Sequence, residues 1–189
     1  LDNPILMEWE MSIMIYKNCL NVDFELIYQC FNEGFSDYIV NLYLPKEDFK
    51  KRFFGPEGNE LKYSFIAMDK KKPVGLILGG IKDCQGIKTM RCGALCVIPE
   101  YRGKGVADDL FYLHKETAIT EGCKQMMLEI IIGNDRALNF YKKHGYEKIY
   151  ELQYFQLSDL SKLKNQKTND DYEIRAIEFT ELKNAKELV

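Results

Sequence analysis

Histidine is scarce in this chain: His114 and His144 are the two among 189 residues, and neither falls in a metal-ligand spacing. The six cysteines, Cys19, Cys30, Cys84, Cys92, Cys96 and Cys123, include no C-x-x-C pair. Together these absences exclude a zinc site by pattern. They also leave no cysteine with a patterned histidine partner to activate it as a nucleophile. Long apolar runs are missing too, and none reaches the roughly 18 residues that a membrane span needs. The first residues carry Asp2, Glu8 and Glu10, with no basic stretch ahead of an apolar one, so a secretory signal is not expected. Positive charge is not in excess, since 26 Lys and Arg face 29 Asp and Glu for a net charge of −3. A nucleic-acid partner calls for the opposite balance and is not expected. The cationic cluster Lys70 to Lys72 precedes Pro73 and reads as a solvated turn.

What is present is the makeup of a globular domain with a real core: 46% hydrophobic and 13% aromatic residues. The cysteines read as buried free thiols of a reducing, cytoplasmic compartment. Cys92 and Cys96, four apart, are expected on one face of a strand.

Along the chain, a strand around Ile15 and Tyr16 precedes a helix capped by Asp23, with Phe24, Ile27, Tyr28 and Phe31 at helical spacing and Gly34 at its end. Pro45 opens a short helix, Lys46 to Phe54. Three strands follow as an antiparallel meander, Tyr63 to Met68, Val74 to Ile81 and Thr89 to Ile98, with Gly75, Gly79 and Gly80 marking weak points or bulges. A long helix from Gly105 to near Gly122 comes next, then a buried strand, Gln125 to Ile132. A helix, Asp135 to Lys143, and two strands, Tyr146 to Tyr150 and Leu152 to Leu157, complete an α+β domain expected over 15–160. Residues 1–14 read as an N-terminal extension and 161–171 as a polar linker. Residues 172–189 read as a strand and helix that either pack on the first domain or begin a second copy of it.

The chemistry concentrates after Pro99, in Tyr101-Arg102-Gly103-Lys104-Gly105-Val106-Ala107. Two glycines one residue apart let the backbone curl and approach a ligand closely. Successive N–H groups at the start of a long helix then form an anion site, helped by the helix dipole. Asp108 and Asp109 in the first turn must face away from any phosphate held there. A P-loop needs Gly-Lys-Ser/Thr, and Gly105 stands in the third place. A dinucleotide fingerprint needs a third glycine where Asp108 stands, in a parallel βαβ chain.

Arg102-x-x-Gly105-x-Ala107 after a strand resembles the pyrophosphate motif of the GNAT (GCN5-related N-acetyltransferase) superfamily. Asn134-x-x-Ala137-x-x-Phe140-Tyr141-x-x-x-Gly145-Tyr146 is similar to that family's second signature and stands in the right order. The resemblance spans roughly Ile15 to Leu157 and is weakest in the first sixty residues. It implies an α/β/α sandwich with a mixed, mostly antiparallel sheet and a splayed parallel strand pair, into which the pantetheine arm of acetyl-CoA inserts. Leu95, Cys96 and Val97 would flank that arm, with backbone of Leu95 and Val97 pairing to it and an N–H near Leu95 polarising the thioester carbonyl. Arg102, Gly103, Lys104, Gly105, Val106 and Ala107 would hold the pyrophosphate, and Asn134, Phe140 and Tyr141 would line the channel.

The family tyrosine that protonates the leaving sulfur matches Tyr141, a phenol that stays protonated near neutrality. Glu129, a lone carboxylate in an apolar strand, resembles the glutamate base of the branch that acetylates ribosomal-protein N-termini; a structural or water-ordering role is the alternative. Phe35, Tyr38, Tyr43 and Phe54 are candidate acceptor walls, with Asp37 a candidate amine contact. The implied activity is direct acetyl transfer from acetyl-CoA to a primary amine of a small molecule or a peptide N-terminus. The alternative is a non-catalytic acyl-CoA-binding module or a degenerate half of a tandem protein. An aminoacyl-tRNA-dependent relative is disfavoured by the intact loop. No metal is expected, and a homodimer is a further expectation.

Overall fold

The computed structural model describes residues 14–153, 155–159 and 161. The chain divides into two compact units, 1–146 and 147–189. In the first, the elements run β1 (Met14–Asn18), α1 (Phe24–Gly34), α2 (Lys46–Phe53), β2 (Phe65–Asp69), β3 (Lys72–Cys84), β4 (Ile87–Val97), α3 (Val106–Thr120), β5 (Gln125–Met127) and α4 (Asp135–Lys143). Asp23 caps α1 by accepting from the Glu25 N–H, as its side-chain chemistry predicts. The Lys cluster forms the β2–β3 turn, and Lys70 takes the left-handed conformation there, with φ of 54°.

The strands lie in the order β1-β2-β3-β4-β5. The first four pair antiparallel, and β4 with β5 is parallel. Helices cover both faces. On one, α1 and α2 bury Ile27, Phe31, Phe49 and Phe53 against Ile66, Leu76, Leu78, Ala94 and Cys96. On the other, α3 sets Val106 and Leu110 against Ala67, Val74, Ile77, Cys92 and Val97. This is the layered α/β/α sandwich that the resemblance implies.

The β2–β3 ladder shifts register between Ala67 and Met68, and a second shift, between β3 and β4, decides which faces the β4 side chains take. Leu78 pairs with Ala94 and Gly79 with Cys92, so Gly93 is an extra residue bulged out of β4. A Cβ on residue 93 would fall 2.0 Å from Asn59 Oδ1, which is why glycine is needed at the bulge. The bulge breaks the alternation of side chains. Cys92 therefore packs on the α3 side and Cys96 on the α1 side. The expectation that they share a face is corrected: a spacing of four means one face only in an unbroken ladder. Both are buried free thiols, as expected.

Two further corrections concern strands. β5 ends at Met127, not Ile132, because its ladder to β4 stops at the Arg91–Met127 pair. The expected strands Tyr146 to Tyr150 and Leu152 to Leu157 are not formed by the described residues. Alternating apolar residues give a segment strand propensity, but a strand exists only through pairing. The expectations for 1–13 and 162–189, including the C-terminal strand and helix, lie outside the described residues.

Candidate functional site

Three rungs hold β4 and β5 together: Thr89–Gln125, Met90–Met126 and Arg91–Met127. Beyond them the strands part. From Cys92 onward the β4 edge that faced β5 has no strand beside it among the described residues, so its backbone groups stand ready for another extended chain. Leu95, Cys96 and Val97 lie on this stretch. Cys96 turns its thiol away toward the Cys30 carbonyl, 3.7 Å off. The Val97 carbonyl accepts from Arg102 Nε at 2.9 Å.

The chain then passes through a short helical turn at Pro99–Tyr101 and enters the glycine loop. Gly103 and Gly105 adopt φ of 74° and 83°, the left-handed region that glycine enters without steric cost. An added Cβ at either would meet nothing within 4 Å, so the loop borders open space. Gly105 caps α3 with no side-chain hydrogen bond. Among the described residues, no turn or cap hydrogen bond uses the N–H groups of Gly103, Lys104, Gly105, Val106 or Ala107. Unspent donors at a helix N-terminus beside open space fit a diphosphate. Asp108 instead meets Lys143 Nζ at 3.1 Å and His144 Nε2 at 3.2 Å. Asp109 accepts from the Tyr16 hydroxyl at 2.5 Å. Both carboxylates are thus engaged elsewhere, as the loop's chemistry requires.

Arg102 holds the loop in place. Its guanidinium spans Asp37, at 2.5 and 2.7 Å, and the Gly34 carbonyl, at 3.1 Å. It ties the loop to the end of α1, with Nε on Val97, so its guanidinium is engaged by the protein itself. Asp37 is correspondingly not a free amine contact. Its hydrogen bond to Arg102 holds its carboxyl down to about 2. Lys104 Nζ sits 4.7 Å above the Tyr101 ring.

Tyr141 projects from α4 to the place where the strands part. Its hydroxyl lies 3.7 Å from Cys92 Sγ, and the residue is 8% exposed. Burial, with Cys92 beside it, pushes the phenol well above its ordinary value. Phe140 packs edge-on to Tyr141 with ring centroids 5.2 Å apart, and Phe111 of α3 backs both. Asn134 caps α4 by accepting from the Ala137 N–H at 3.1 Å, and its amide donates to the Tyr38 hydroxyl at 3.2 Å. The second signature therefore works first as a cap that fixes the helix carrying Tyr141.

Glu129 lies two residues past the end of β5, on the side of the sheet opposite Tyr141. There it meets Arg91, whose Nε is 3.1 and 3.2 Å from its two carboxylate oxygens. Arg91 is a residue the sequence reading missed. It is the only charged residue between Thr89 and Val97, which is the signal that could have found it.

Phe35, Tyr38 and Tyr43 do share a cavity of about 320 Å³ in the α1–α2 loop, with Asn32, Val40 and Leu42. Phe54 does not; it packs on Phe24 and Phe49 in the core. A second cavity of about 320 Å³ is lined by Arg52, Pro56, Glu57, Lys82, Arg91 and Glu129. Among the described residues no cluster could hold a metal, and no helix is long and apolar enough to cross a membrane.

Residues 24–146 match the acetyltransferase (GNAT) family. N-alpha-acetyltransferase 30 of Schizosaccharomyces pombe is 26% identical over 131 residues, covering 67% of this chain and 78% of that protein. N-alpha-acetyltransferase MAK3 of Arabidopsis thaliana is 29% identical over 96 residues, which span 51% of this chain and half of the relative. In three dimensions the chain is similar to one in the crystal structure of the NatC complex bound to Gag peptide and CoA. The TM-score is 0.59 at 20% identity, covering 72% of this chain and 86% of that one. The chain belongs to the acetyltransferase (GNAT) family, as an N-acetyltransferase whose acetyl donor is acetyl-CoA.

Proposed function

We propose that the chain transfers the acetyl group directly to the α-amino group of a peptide, with Tyr141 as proton donor and Glu129 as proton acceptor. The observation that carries this reading is the placement of a phenol and a carboxylate on opposite sides of the gap beyond the Arg91–Met127 rung. Acyl transfer to an amine needs one proton removed from nitrogen and one delivered to sulfur. Two groups on two sides let both transfers run without competing for one space. The peptide acceptor is supported by the two N-alpha-acetyltransferase relatives and by the peptide-bound NatC neighbour.

The bound donor supplies an acetyl group activated as a thioester. The main-chain N–H groups of 103–107, with Lys104, hold its diphosphate. The free edge of β4 at Leu95 and Val97 aligns the pantetheine arm, and Phe140 and Asn134 shape the walls, while Cys96 packs away from it against α1. Tyr141 Oη keeps its proton until a thiolate needs it. Burial alone does not make it too weak an acid for that task. Cys92, in contact with it, is itself pushed up to about 11, mainly by burial. A leaving thiolate in the same buried surroundings is made more basic too, which favours its taking the phenol's proton. Glu129 takes the proton from the amine nitrogen. The α1–α2 cavity seats the peptide's first side chain, whose surroundings of Phe35, Val40 and Leu42 favour an apolar one.

The test is a panel of synthetic hexapeptides with free N-termini, the same peptides N-blocked but carrying a lysine, and small amines including a polyamine and an amino sugar. Thiol release from acetyl-CoA and product mass are measured. Acetylation of the free N-termini is expected. Turnover confined to lysine side chains or small amines would overturn the peptide assignment.

A further inference from the structure

Glu129 has no ladder to hold it. β5 ends at Met127, residues 128–132 form no helix or strand, and the side chain is 43% exposed. A half-exposed glutamate on irregular backbone samples several rotamers, and a proton acceptor must stand within hydrogen-bond reach of its substrate nitrogen. Its position is set from outside. Arg91 meets Glu129 through two atoms, Nε at 3.1 and 3.2 Å and Nη2 at 2.9 Å. Arg91 is in turn fixed by its place on the last β4–β5 rung and by Glu57. Its Nη2 lies 3.3 Å from the Glu57 carboxylate, and its Nη1 donates to the Glu57 carbonyl at 3.4 Å. The other charged groups facing this cavity are Arg52 of α2, which is 3.2 Å from Glu57, and Lys82 of β3.

Stability is a poor account of such an arrangement. A pair in which one partner is half exposed contributes little, and the Arg91 side chain is only 17% exposed, so it sacrifices hydration to make it. The rung that places Arg91 also places its neighbour Cys92 against Tyr141. Two adjacent residues of β4 thus carry the contacts of both proton-handling groups.

Resting on the reading of Glu129 as proton acceptor, we propose that Arg91 is a positioning residue that holds the Glu129 carboxylate at the gap between β4 and β5. The proton moves from the amine nitrogen to a Glu129 oxygen, while Arg91 keeps its own protons and charge throughout. Glu57 steadies Arg91 and touches no reacting group.

The test is a double-mutant cycle of Arg91→Gln and Glu129→Gln, measuring kcat and KM with the best single hexapeptide of the panel and with acetyl-CoA. Arg91→Gln is expected to lower kcat about tenfold to a hundredfold, as misplacement of a catalytic group by an ångström does, with KM for acetyl-CoA unchanged. In the Glu129→Gln background the same change is expected to cost nothing further, because its target is gone. If Arg91→Gln fails to fold by circular dichroism, Arg91→Lys decides in its place. Lysine keeps the charge and loses the two-atom contact, so a lowered kcat with unchanged KM supports the proposal. Wild-type kcat in the folded arginine variant, or losses that add in the double mutant, overturns it while leaving Glu129 as acceptor. Wild-type activity of Glu129→Gln removes the acceptor reading, and the positioning role with it.

Discussion

His114 is wholly buried on α3, and neither ring nitrogen has a hydrogen-bond partner among the described residues. Burial is the main influence on its titration. The nearby Tyr63 carbonyl opposes it in part, and the outcome is a pKa lowered from 6.5 to about 4. The folded protein therefore prefers the neutral ring. Below about pH 6.5 the unfolded chain takes up a proton that the folded one refuses, and stability falls with pH until the folded ring titrates near 4. Between pH 7.5 and 5 this linkage amounts to about 2 kcal/mol, and it levels off below pH 4 at a little over about 3 kcal/mol. Asp37, held down to about 2, titrates below that window. The assay is urea unfolding followed by circular dichroism at the two pH values, for wild type and His114→Met. Methionine fills the space without a titrating group. The variant is expected to lose about 2 kcal/mol less than wild type on acidification. An equal loss in both would refute the assignment of a neutral, unpaired ring.

Tyr141→Phe is expected to lower kcat about a hundredfold or more while leaving KM for acetyl-CoA nearly intact, measured by thiol release. Gly105→Glu places a carboxylate and a strained backbone, at φ of 83°, where a diphosphate is expected; calorimetry with coenzyme A should then detect no binding. Gly93→Val forces a side chain into Asn59 and is expected to cost about 2–3 kcal/mol in urea unfolding.

Helices and the meander were legible because their signals are local. Asp23, Pro45 and Gly145 punctuate helices within a few residues of themselves. The glycine loop was legible for the same reason, since Gly103 and Gly105 state their backbone needs in place. What escaped depends on partners far along the chain. The faces of Cys92 and Cys96 are decided by register against Leu78 and Gly79. The task of Arg102 is decided by Asp37, 65 residues away. Arg91 and Glu129 each look anomalous in an apolar strand, but that the two anomalies answer one another appears only once β4 lies beside β5. The length of β5 could not be read from its own hydrophobicity, because it is set by where the ladder to β4 stops.

Deleting residue 93 would mend the interrupted alternation without turning any side chain over: Arg91 and Cys92 would keep the sides they now occupy. What would go is the bend. With a straight neighbour, the three-rung pairing could zip onward past Met127, and the wedge proposed to take the thioester would close. The enzyme would keep its composition, its layers and its reactive groups, yet have no slot in which to use them.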